Sequence, residues 1–354
     1  MVANSGLRKL CAVTFSLACL AIALPNMRMK VGALSKMADL NATVLSTSVE
    51  KDLCPLNEKY RNAFMEQYEK RGAQMKEKLR AIRESWWNNK DGKIYVQHIH
   101  KAGGTTLCAF FKRKTDLPME RRNNCNGPRE SHFIIATNFT NVEKHMNRLQ
   151  HKVVFNERDM ASIASEEDLE VRRKNFILIT TIREPVDRII SHMAHVYEKA
   201  IKNHKADGPS ELGEWLRKFT DGVNETDLSR EKPEYHHHEH NFQALNLLGR
   251  FGFQETSKIP VSTKNALKQL DEFDVVIPTD EMDTGLAVLN KILWPEANNT
   301  PVRANARKSS SILAEGIANG RFIELYREII AENCIDVALY ERAKMIFSLM
   351  LLSI

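Results

Sequence analysis

The sequence predicts an α/β fold, a parallel sheet flanked by helices, preceded by an N-terminal apolar segment and a helical stem. Three observations carry this. Phe176-Ile-Leu-Ile-Thr-Thr-Ile182 is an unbroken apolar run of strand length, the pattern of a parallel strand covered on both faces. Ile94 to Ile99 is a second, β-branched run that feeds directly into a glycine turn and a helix. Beyond these, short apolar runs alternate with helical stretches, as βα units do.

The totals agree. A chain of 354 residues, 43% hydrophobic and 27% charged, holds one sizeable globular domain plus appendages. Its net charge of +6 is mild and dispersed. That argues against nucleic acid as a partner and suits an anionic ligand: a phosphorylated cofactor, an acidic polysaccharide or a membrane surface. Six cysteines occur without a CxxC pair, which argues against a zinc ribbon. Cys11 and Cys19 lie in the N-terminal apolar run. Cys54, Cys108, Cys125 and Cys334 remain, an even number able to pair in an oxidising compartment. Their pairing stays open, and Cys108 on a helix face reads equally as core.

At the N-terminus, Arg8 and Lys9 precede Leu10 to Leu24, which carries no charge. Residues 1–9 read as a cytoplasmic tail and 10–25 as a signal anchor. A cleaved signal peptide is the alternative, since the run is short of the roughly 20 residues of a full span and Ala21 and Ala23 suit a cleavage site. Either way the rest of the chain enters the secretory lumen, where sequons at Asn41, Asn138, Asn224 and Asn298 fit a glycoprotein. Residues 26–90 form the stem. Within it Tyr60, Phe64, Tyr68, Met75, Leu79, Ile82 and Trp86 recur at helical steps, predicting an amphipathic helix over 57–87. That face either packs on the main domain or self-associates as a coil, making a homodimer. Asn88 to Gly92 breaks the helix, and the main domain occupies 91–354.

Lys101-Ala-Gly-Gly-Thr-Thr106 follows the first strand. A strand, a glycine turn and a helix start leave backbone N–H groups facing outward at the positive end of a helix dipole. With a lysine and two hydroxyls this P-loop-like turn suits a phosphate-like anion. The ATP-type loop places its lysine after the second glycine; here Lys101 precedes both, so a different ligand is expected. Residues 112–129 form a basic surface excursion. Phe133 to Thr137 and His151 to Phe155 read as strands, with a helix over Val142 to Leu149 between them. The strand Phe176 to Ile182 ends in Arg183-Glu-Pro-Val-Asp-Arg-Ile-Ile-Ser191, with Pro185 placed for a helix start. A second strand-to-helix junction therefore presents an arginine, with Ser191 further along its helix. Residues 203–240 are polar and end in Tyr235-His-His-His-Glu-His240. Consecutive histidines cannot all face one ion, so a polar acceptor-side loop is favoured over a metal site. A helix over Phe242 to Leu248, a strand over Phe273 to Ile277, a helix over Met282 to Leu293, a basic loop Arg303 to Ser311 and two C-terminal helices complete the chain.

His98-Ile-His-Lys-Ala-Gly-Gly-Thr-Thr-Leu107 and Thr181-Ile-Arg-Glu-Pro-Val-Asp-Arg-Ile-Ile-Ser191 resemble the two nucleotide motifs of the Golgi carbohydrate sulfotransferases, the group holding the heparan sulfate 2-O and 6-O enzymes. Asn241 to Gly249, Phe273 to Ile277 and Asp336 to Tyr340 are similar to further segments of that group, so the likeness covers about residues 93–345. It departs at His100, where the group has proline, and at Ala102, where it has threonine. The resemblance implies a single-pass type II Golgi membrane enzyme with a lumenal domain. Its donor would be 3′-phosphoadenosine 5′-phosphosulfate (PAPS) and its acceptor a carbohydrate, anionic glycans included, with no metal. It implies donor-binding roles for Lys101, Ala102, Gly103, Gly104, Thr105, Thr106, Arg183 and Ser191. Lys101 would also stabilise the leaving oxygen. His151 resembles the general base of the group's "GH…F" segment, with His98, His100, His132 and Glu157 as rivals. Two other classes stand against this reading. A P-loop kinase needs a lysine after the glycines and an acidic strand end. A non-catalytic lumenal glycan- or nucleotide-binding protein would keep the fold and transfer nothing.

Overall fold

In the computed structural model of the chain, four strands form one wholly parallel sheet: β1 (Lys93–Gln97), β2 (Val153–Asn156), β3 (Phe176–Ile182) and β4 (Val275–Pro278), in the order β2-β1-β3-β4. The structure describes residues 53–88, 92–114, 117–121, 125, 138–157, 160–161, 165–189, 191–192, 240–250, 260–295 and 323–354. The predicted strand 133–137, the 10–25 segment, His132, His236 to Glu239 and the 303–311 loop lie outside them. Every residue of the four strands is buried, as unbroken apolar runs require when helices cover both faces. β3 matches its predicted span. β1 ends at Gln97, because the next residues already turn into the glycine loop. β2 begins at Val153 instead of His151, because Gln150 takes a left-handed conformation (φ 55°) to end the preceding helix.

The helices are α1 (Pro55–Met65), α2 (Tyr68–Asn88), α3 (Gly104–Lys112), α4 (Phe139–Leu149), α5 (Glu166–Asn175), α6 (Phe242–Leu247), α7 (Thr263–Asp271), α8 (Met282–Leu293), α9 (Ile323–Glu332) and α10 (Cys334–Ser353). A further helix begins at residue 185. α5 and α7 are additions to the predicted set. Ser165 and Ser262 cap them by accepting the N–H of Asp168 and Asn265. The acidic first turn and basic last turn of α5 complement its dipole.

The single helix expected over 57–87 is two helices, with a turn closed by the Gln67 N–H on the Phe64 carbonyl. Its apolar face is spent inside the chain. Phe64, Leu79 and Ile82 are buried in the common core, with Tyr60, Tyr68, Met75 and Trp86 packed at its margin. α1 and α2 lie against α10, and α2 also against α8. The guanidinium groups of Arg71 and Arg342 sit 4.6 and 4.4 Å from the Phe64 ring centroid, and both bind the Asp271 carboxylate. Disulfides join Cys54 to Cys334, across 280 residues, and Cys108 to Cys125. The residues thus belong to one compact unit, Val49–Ile354. Among the described residues no helix is long and apolar enough to cross a membrane.

Strand order decides where a ligand can sit. From β1 the chain moves to β2 on one side, then crosses to β3 on the other. The sheet therefore has its switch point between β1 and β3, and the crevice beyond the C-terminal ends of those strands is the expected binding place.

Candidate functional site at the β1–β3 crevice

The two anion junctions expected from the sequence meet in that crevice. β1 leads through His98 and Ile99 into the turn 100–103, and α3 starts at Gly104. Lys101 has φ 64°, a left-handed conformation that costs a non-glycine residue roughly 1–2 kcal/mol, and Gly103 has φ 88°. The two reversals turn the chain so that α3 opens toward the crevice. Among the described residues no acceptor takes the N–H of Gly103, Gly104 or Thr105; the Thr106 N–H returns to the Gly103 carbonyl. Three donors at a helix N-terminus make an anion cradle.

Both glycines are required, for different reasons. A Cβ on Gly103 would meet the Met282 methyl at 2.5 Å in a backbone conformation side chains disfavour. A Cβ on Gly104 would overlap the imidazole of His98, which is packed beneath the helix start. Thr105 is exposed and Thr106 half-buried, so both hydroxyls can reach a ligand. Ala102 is fully buried in the core, and its N–H donates to the Ile99 carbonyl at 3.0 Å.

Arg183, one residue past β3, closes the other side. Its Nη1 donates to the Lys101 carbonyl at 3.2 Å, tying the junctions together. Burial pulls its pKa down, opposed by Asp187 and Glu184; Asp187 Oδ2 is 4.0 Å from Nη2. Thr279, just past β4, stands 3.1 Å from the Ile182 carbonyl and 3.3 Å from that of Ala102, so three strand ends are laced. Ser191 lies half-exposed on the helix that begins at 185. The arrangement offers a lysine, an arginine and a helix N-terminus, enough for two separated anionic groups.

The structure places His151 elsewhere. It precedes β2, whereas the loop follows β1, and those strands run parallel with Ile94 beside Val153 and Gln97 beside Asn156. His151 therefore sits at the opposite edge of the sheet, a strand length of more than about 10 Å away. Its neighbour there is Glu120, and burial lowers its pKa. The titratable groups that do reach the crevice edge are the rivals. Glu157 follows β2, and its Oε1 lies 2.8 Å from His100 Nδ1 and 3.8 Å from His98 Nε2. The His192 ring stands edge-on to His100, with centroids 5.3 Å apart. Burial lowers the His100 pKa more than Glu157 raises it, so the imidazole is neutral near pH 7. Proline at position 100 would remove this pair.

Several supporting residues carried no role in the sequence reading. Gln243 Nε2 donates to the Arg183 carbonyl at 2.8 Å and its Oε1 accepts the Arg183 N–H at 2.9 Å. Asp336, fully buried, accepts the N–H groups of Gln243 and Ala244 at 3.0 and 2.8 Å. Burial pushes its carboxyl up to about 6 against the pull of Arg188. Both residues lie in segments whose likeness to the family was visible, Asn241 to Gly249 and Asp336 to Tyr340, but periodicity says nothing of their partners. Of the histidine run only His240 is described; its Nδ1 pairs with Glu332 at 3.1 Å. No metal-holding cluster occurs among the described residues.

Comparison with known proteins agrees with this geometry. A family model described as "Sulfotransferase family" matches residues 83–271, 189 of the chain's 354 residues. The match spans both junctions, the Glu157 pair and Gln243. The comparisons with curated proteins and with solved structures found no match. On the family match and the crevice it encloses, the chain belongs to the sulfotransferase family.

Proposed function

We propose that the chain transfers a sulfuryl group from PAPS to a carbohydrate hydroxyl in the secretory lumen, as a single-pass Golgi membrane protein held by its N-terminal segment. The observation that carries this reading is the hydrogen bond from Arg183 to the Lys101 carbonyl. It joins two cation-bearing junctions at one crevice, which suits a nucleotide with two separated phosphate groups. The cradle suits the 5′-phosphosulfate end, since it presents backbone N–H donors at the start of α3. Arg183, with Ser191 on the following helix, suits the 3′-phosphate through charge-assisted bonds. The donor supplies a sulfuryl group whose bridging oxygen leaves with the nucleotide.

The protein's part is positioning and charge. Lys101 stabilises the negative charge that grows on the leaving oxygen. The acceptor hydroxyl forms its bond to sulfur as the bridging bond breaks, and its proton passes to the His100–Glu157 pair, which takes the base role from His151. Two disulfides support an oxidising compartment for the domain. The purified protein, incubated with sulfur-35-labelled PAPS and a panel of neutral and anionic glycans, tests the reading. Label should appear on at least one glycan; nucleotide binding without transfer to any acceptor would replace it with the non-catalytic alternative.

A further inference from the structure

α6 and α10 cap each other. Asn241, at φ 57°, accepts the Ile335 N–H on its side-chain oxygen at 2.8 Å and donates from its own backbone to Asn333 Oδ1 at 2.8 Å. In return the Asp336 carboxylate accepts two first-turn N–H groups of α6, those of Gln243 and Ala244. The Gln243 backbone is thereby fixed from one side, and its side-chain amide spans both backbone groups of Arg183 on the other. Gln243 and Asp336 are each fully buried. Arg183 stands where β3 has ended and the next helix has not begun, so sheet hydrogen bonds no longer hold its peptide.

We propose that Gln243 and Asp336 are positioning residues for donor binding: the Asp336 cap fixes Gln243, and the Gln243 amide fixes the Arg183 backbone so that its guanidinium bridges the Lys101 loop and the donor's far phosphate. This rests on the function proposed above. A side-chain amide carries a donor and an acceptor on two atoms of one planar group, as this clamp needs. A methionine of equal length fills the space and supplies neither; a carboxylate at 243 would set an oxygen against the Arg183 carbonyl. Asn at 336 keeps volume and one acceptor but turns an NH2 toward the second N–H.

The test is the affinity of the full-length protein for adenosine 3′,5′-bisphosphate by titration calorimetry, with donor KM, acceptor KM and kcat beside it. Gln243→Met should weaken nucleotide binding on the order of tenfold, the effect of one misplaced charge-assisted bond. Donor KM should rise more than kcat falls, and acceptor KM should stay. Asp336→Asn should shift the same ratio by less. A purely structural clamp would lower the active fraction and leave donor KM where it was, and that result overturns the proposal. So does unchanged nucleotide affinity in a folded Gln243→Met protein. Should Gln243→Met fail to fold, Asp336→Asn reads the same KM-to-kcat split. Wild type that fails to bind the bisphosphate overturns the proposed function and this inference together; equal binding by wild type and variant overturns the inference alone.

Discussion

Lys101 occupies a left-handed conformation that glycine would adopt more readily, in the turn that leads into the cradle. Lys101→Ala should lower kcat by roughly 10²–10³-fold while nucleotide affinity falls far less, measured by turnover beside calorimetry; equal losses in both would make it a binding residue only. Gly104→Ala should abolish nucleotide binding, because the added methyl displaces the His98 ring. The His100 pKa lies below the ordinary histidine value, so its working neutral form persists at pH 7 and is lost only as pH falls through that lowered value. The rate should therefore show an acid limb whose midpoint is below about 6.5, and His100→Asn should remove that limb. At this scale the sequence was informative where chemistry is local: the lysine, the glycines and the arginine could each be read from neighbours in the chain. The His100–Glu157 contact could not, because Glu157 meets His100 only through the pairing of β1 with β2. A topological signal for His151 was nonetheless present. A residue just before a parallel strand lies at the edge opposite the loop that follows its neighbour.

Among the elements, the mutual capping of α6 and α10 was illegible, since it joins residues 92 and 93 positions apart. β3 and α8 follow from the sequence because apolar runs and periodicity fix them locally. The one helix that the spacing predicts over 57–87 is two. Its apolar spacing continues across Glu66 and Gln67, with no glycine or proline to mark the break. The same elements bear two stability predictions. Asp271→Ala should destabilise by about 1–3 kcal/mol in chemical denaturation, since it leaves Arg71 and Arg342 stacked on Phe64 without their shared carboxylate. Asp336 carries a raised folded pKa, so the native state binds its proton more readily than the unfolded chain does. For this group stability rises as pH falls from about 6 toward 4, the reverse of a salt-bridged carboxylate. Subtracting the melting profile of Asp336→Asn from that of wild type should expose that limb; a difference flat across the window would remove the assignment.

For the molecule as a whole, a four-stranded parallel sheet whose order reverses between β1 and β3 puts every group the proposed chemistry uses at one end. A covalent link reinforces that place. Cys54 before α1 is bonded to Cys334 at the start of α10, two residues from Asp336, so the covalent link borders the relay to Arg183. Reduction should lower the melting temperature and weaken nucleotide binding, with Cys54→Ser reproducing both. The most direct measurement of the central claim is single-turnover transfer of labelled sulfuryl from PAPS to a glycan by wild type and Lys101→Ala at saturating donor. Labelled glycan from wild type, with the variant slowed at least a hundredfold while still holding nucleotide, is the predicted result. Wild type that binds the nucleotide and labels no acceptor, or a variant as fast as wild type, would contradict it.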